Sequence, residues 1–115
     1  MRIRVKRIYD PPAESDGCRV LIDRLWPRGI KKSDARIAHW AKDLAPSTEL
    51  RRWFAHDAAK FPEFQRRYVA ELAAKQQLID ELLQRAGTGT LTLLFAARDR
   101  DCNHAVVLRD YLSAP

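Results

Sequence analysis

The sequence is short of cysteine. It has only Cys18 and Cys102, far apart, with no C-x-x-C pair. That excludes a zinc ribbon and a thioredoxin-type motif. Reduced thiols are a simpler expectation than a disulfide, as in a cytoplasmic protein. Histidine is scarce too: His39, His56 and His104 show no H-E-x-x-H spacing, so no metal site is expected. There is no Walker A loop, no G-x-G-x-x-G and no G-x-S-x-G, and no cofactor is expected. No apolar run approaches the roughly 20 residues that a membrane span needs. The first residues alternate charged and apolar side chains, unlike the apolar stretch of a secretory signal, so no membrane partner is expected. Internal repeats, low-complexity tracts and linkers are also lacking.

What is there suits one globular domain. The chain has 115 residues, 46% hydrophobic and 31% charged, enough for one core and too few for two. The formal charge is +6, from 21 basic and 15 acidic side chains. An excess of this kind favours acidic partners, or does no more than aid solubility, because the charge is interspersed along the chain.

Hydrophobic patterning predicts an α/β fold. Residues 2–8 alternate like a half-buried strand. The turn formers of 10–17 close it. Residues 18–25 form a second strand, whose Val20-Leu21-Ile22 run predicts burial on both faces. The stretch 31–45 reads equally as a short helix or a short strand. Ser47 can cap a helix that buries Leu50, Trp53 and Phe54. Phe61, Phe64, Tyr68 and Leu72 then make a helical stripe, interrupted at Lys75-Gln76 and resumed by Ile79, Leu82, Leu83 and Ala86. Gly87-Thr88-Gly89 reads as a helix stop. Residues 90–96 predict a buried strand, and a last helix starts near Asn103. The expected architecture is a small central sheet of about three to four strands covered by helices.

Two segments carry chemistry. Asp23-Arg24-Leu25-Trp26-Pro27-Arg28-Gly29 puts two arginines, a tryptophan and a rigid turn at a strand exit. Guanidinium forks match phosphate or carboxylate oxygens in pairs, and Trp26 can pack a guanidinium or a ligand ring. The competing reading is that Arg24 pairs with a core carboxylate and orients a turn. The second segment is Arg98-Asp99 with Asn103-His104, after a buried strand and before a helix, where open α/β sheets bind ligands. Asn103 can cap that helix, and the free N–H groups beside it could face an anion. Arg98 reads equally as an anion ligand or as part of a salt-bridged loop. His104, Asp99 and His56, the last preceded by Arg51-Arg52, are the candidate acid–base groups. Cys102 lies beside them, but no arginine closes a phosphatase-type loop six residues on, so it reads as an incidental thiol. Cys18 reads as core. Arg66-Arg67 reads as a solvated face.

Taken together, Lys6-Arg7-Ile8-Tyr9-Asp10, Asp23 to Gly29, Leu44-Ala45-Pro46-Ser47, Leu50-Arg51-Arg52-Trp53-Phe54, Glu71-Leu72, and Arg98-Asp99 with Asn103-His104-Ala105 resemble the YeaO-like members of domain-of-unknown-function family 488. The likeness covers nearly the whole chain. It implies a small intracellular α/β domain and no established activity. Cys102 falls where the family pattern implies a variable polar residue. The leading expectation is an anionic small molecule held by Arg24, Arg28, Arg98 and Asn103, with Trp26 as a wall. A nucleic-acid-binding module and a protein-interaction domain, possibly a homo-oligomer, are the competing expectations.

Overall fold

The computed structural model describes residues 1–114. Four parallel strands lie in the order β1-β4-β2-β3: β1 is Arg2–Arg7, β2 Cys18–Leu21, β3 His39–Trp40 and β4 Thr90–Phe95. The helices are α1 (Lys32–Ala35), α2 (Thr48–Phe54), α3 (Phe61–Ala73), α4 (Gln76–Ala86) and α5 (His104–Ser113). The strand most apolar in sequence takes the middle of the sheet. From Leu91 to Phe95 every residue of β4 is buried, with β1 on one side and β2 on the other.

The twofold alternation of strand side chains divides the interior. Leu91, Leu93 and Phe95 of β4 and Val20 of β2 join one core with Phe64, Tyr68 and Leu72 of α3, Ile79 and Leu82 of α4, and Val107 and Leu108 of α5. Leu94 and Leu21 point the other way, into a smaller cluster with Ile8, Ala35, Trp26 and Trp40. Tyr68 is fully buried but not orphaned, since its hydroxyl donates to Leu44 O at 2.6 Å.

The undecided stretch 31–45 contains both alternatives in miniature. One turn of helix, α1, is followed by the two-residue β3 and a 3-10 turn at Lys42–Leu44. Each piece is too short for hydrophobic periodicity to reveal. The break expected at Lys75-Gln76 separates α3 from α4. Gly87 stops α4 with φ 64°, and its N–H donates to Leu83 O.

Candidate functional site

Parallel strands leave their carboxyl ends on one edge, and a cavity of about 590 Å³ opens there. The exits of β2 and β4, the helix α2 and the start of α5 surround it. Asp23 joins three of these parts. Its Oδ2 accepts from Ala96 N at 3.0 Å, tying the end of β2 to the end of β4. Its carbonyl accepts from the Trp40 indole at 2.7 Å. Its Oδ1 lies 2.8 Å from His104 Nε2 on α5, an ion-pair separation without hydrogen-bond alignment.

Helix caps fix the other walls. Ser47 Oγ accepts from Leu50 N and donates to Glu71 Oε2 at 2.7 Å, while Ser47 N donates to Glu71 Oε1 at 2.8 Å. Glu71 of α3 thus anchors the start of α2, and with it Arg51. At the start of α5, Asn103 Oδ1 accepts from Val106 N and Asn103 Nδ2 donates to Asp99 O at 2.9 Å. Asp99 Oδ1 accepts from the Asp101 and Cys102 N–H groups, both at 2.9 Å. The Cys102 N–H, then that of Asp101, hold the Asp99 carboxyl below its ordinary range. Asn103→Ala should therefore cost about 1–2 kcal/mol, the upper range for an N-cap, because Asn103 is buried and closes two bonds. Urea unfolding measures it, and a loss below about 0.5 kcal/mol would contradict the two-bond role.

Arg24, Arg51 and Arg98 all line the cavity. Arg24 makes two long contacts, to Pro46 O and Ala45 O, both at 3.3 Å. Among the described residues none of the three has a carboxylate partner. Asp23 and Asp99 also line it, one facing His104 and the other turned to its own loop's N–H groups. His56 stands exposed in the lining, following Ala55 into left-handed backbone at φ 57°.

Two expected ligand groups are elsewhere. Trp26 belongs to the second cluster: its indole donates to Ile30 O at 2.7 Å, and its ring meets Trp40 edge-on at 5.3 Å. The cation over its face is Lys32. Arg28 is exposed and outside the cavity lining, and its carbonyl accepts from the Tyr9 hydroxyl. Trp26 thus packs on the face of the sheet that carries Leu21 and Leu94, away from the cavity lining. Arg51 stands in the cavity instead. The sequence offered only the pair Arg51-Arg52 before His56, without saying which faced inward; helix α2 turns Arg51 to the sheet and leaves Arg52 exposed.

Cys102 lines the cavity as well. Burial, then the Asp99 and Asp101 carboxylates, push its thiol up, which disfavours the thiolate a nucleophile needs. Cys18 starts β2 at the opposite edge of the sheet, and both cysteines are free. Among the described residues no helix is long and apolar enough to cross a membrane.

Comparison with known proteins places this chain in a family. The chain is 47% identical to the uncharacterized protein YeaO of Escherichia coli (strain K12) over 112 residues, 97% of each chain. It is 44% identical to the uncharacterized proteins Rv3073c of Mycobacterium tuberculosis (strain H37Rv) and Mb3100c of Mycobacterium bovis, over 97% of this chain and 94% of theirs. No solved structure matches it. Residues 2–115 match the family DUF488-N3i, described as the inactive DUF488-N3 subclade, and the chain belongs to that family.

Proposed function

We propose that this protein binds an anionic small molecule, bearing a phosphate or carboxylate, in the cavity at the carboxyl edge of its sheet. The observation that carries the reading is the set of three arginines, Arg24, Arg51 and Arg98, lining one cavity with no carboxylate partner among the described residues. Guanidinium groups without a carboxylate partner are strong and geometrically selective ligands for oxyanions. Arg98 adds charge beside the start of α5, where a helix favours an anion.

Binding without turnover suits the same residues. The Cys102 thiol is disfavoured as a thiolate, Asp99 is occupied with its own loop, and His104 faces Asp23. The description of the family as inactive agrees with this reading. The free thiols suit a cytoplasmic setting. A nucleic-acid interface on α3 has weaker support, because Arg66 and Arg67 both pair with Glu63 on their own helix.

Thermal unfolding with millimolar phosphate or sulfate tests the proposal. A ligand at about ten times its Kd should raise the midpoint by roughly 5 °C in a domain of this size. The double variant Arg51→Ala/Arg98→Ala should lose the shift. Arg66→Ala, outside the cavity, should retain it. No shift in the unaltered protein with any such anion would overturn the reading.

A further inference from the structure

The arginines account for only part of the cavity. A volume near 590 Å³ is the size that encloses a whole organic ligand, within the usual range of about 300–1,000 Å³. A bare oxyanion of five heavy atoms would leave most of it to water. The remaining wall is largely apolar. Phe64 and Phe54, stacked at 4.2 Å, contribute to it along with Pro46, Ala96 and Ala97. Leu25, next to Arg24 at the exit of β2, also lines the cavity and is 62% exposed. A single exposed leucine is ordinary. One placed in the wall of a cavity that also carries three guanidinium groups without carboxylate partners has an apolar surface available to a ligand.

Resting on the anion-binding reading, we infer that the ligand is amphiphilic: one acidic group for the arginines, joined to an apolar ring or chain that covers Leu25 and the adjoining wall. The arginines take the charge. Of the other polar groups in the wall, Asp23 faces Ala96 N and His104, while Asp99 and Asn103 are bonded within their own loop. A polar body such as a polyol therefore finds few free partners beyond His56, whereas an apolar body gains by removing apolar surface from water. Leu25 then acts as a specificity residue, distinguishing among anions that the arginines hold equally.

Titration calorimetry with inorganic phosphate, glycerol phosphate and phenyl phosphate, at one pH and ionic strength, tests this. Phenyl phosphate should bind at least about tenfold more tightly than the other two, as expected for covering some 50–60 Å² of apolar surface. Leu25→Ser should cut that advantage to about threefold or less while leaving phosphate affinity unchanged. Leu25 is exposed, so the variant should keep the fold, and its thermal midpoint verifies that. Arg51→Ala/Arg98→Ala should weaken all three ligands. If phenyl phosphate and glycerol phosphate bind equally well, the amphiphilic ligand is wrong and the anion site stands. An advantage that survives Leu25→Ser also overturns the inference. If none of the three binds, the anion-binding reading falls with it.

Discussion

Asp16→Ala should destabilise the protein by about 3–5 kcal/mol at pH 7, the usual cost of removing one partner from a buried ionic cluster. Asp16 is 1% exposed and Arg19 is 4% exposed. Asp16 Oδ2 accepts from Arg19 Nη1 at 2.6 Å, Lys6 Nζ at 3.0 Å and Ala13 N at 3.0 Å. Arg19 completes its bonding on the Ala35 and Arg36 carbonyls, which ties β2 to the end of α1. Without Asp16, Arg19 would remain a buried cation with no counter-charge. Burial opposes ionisation of Asp16, but the Ala13 N–H, Lys6 and Arg19 outweigh it and lower its pKa from the ordinary 3.8. A depressed carboxylate contributes stability that is present above its unfolded pKa and lost as pH falls through the folded value. The gap between the unaltered protein and Asp16→Ala should therefore narrow below about pH 4. Urea unfolding at pH 7 and pH 3 measures both effects. A gap under about 1 kcal/mol, or one of the same size at both pH values, would show that this cluster does not hold the fold together.

Asp16 also shows which features a sequence displays. It reads as one turn former among several between residues 10 and 17, because its charged partners come from two strands, Lys6 from β1 and Arg19 from β2, and only the Ala13 N–H is local. The caps at Ser47 and Asn103 were legible because each spans three residues. The strands β1, β2 and β4 were legible because apolar alternation and apolar runs are local patterns. Their order was not, since β4 enters between β1 and β2 only through long-range pairing. The same limit applies to the cavity. Arg24 and Arg98 follow directly from strand ends, so their position could be read from the chain. Arg51 lies in a helix, and only the packing of α2, pinned by Glu71, brings it to the same edge. Trp26 and Arg28 lie outside the cavity lining although they neighbour Arg24 in sequence, because Trp26 is drawn into the cluster on the other face of the sheet.

The other large effect lies beside Asp16. Gly17→Ala should cost about 2–6 kcal/mol, from a strained backbone of about 1–3 and a steric clash of about 1–3. Gly17 has φ 64° and ψ −127°, a region closed to residues with a Cβ. A Cβ there would lie 2.4 Å from Thr90 O and 3.0 Å from Thr90 Cβ, at the first residue of the central strand. Gly87 provides the matched control. Its φ of 64° and ψ of −136° are nearly the same, yet a Cβ there meets nothing within 4 Å. Gly87→Ala should therefore show the backbone cost alone, about 1–3 kcal/mol, and the difference between the two variants isolates the close approach to Thr90. Equal losses would mean that β4 yields to the added methyl. Gly17 and Thr90 lie at the amino edge of the parallel sheet, opposite the cavity. Gly17→Ala protein that still folds should accordingly bind phosphate as the unaltered protein does, whereas Arg51→Ala/Arg98→Ala should lose binding at little cost in stability. Such a crossed result would separate the edge that holds the sheet together from the edge that takes the ligand.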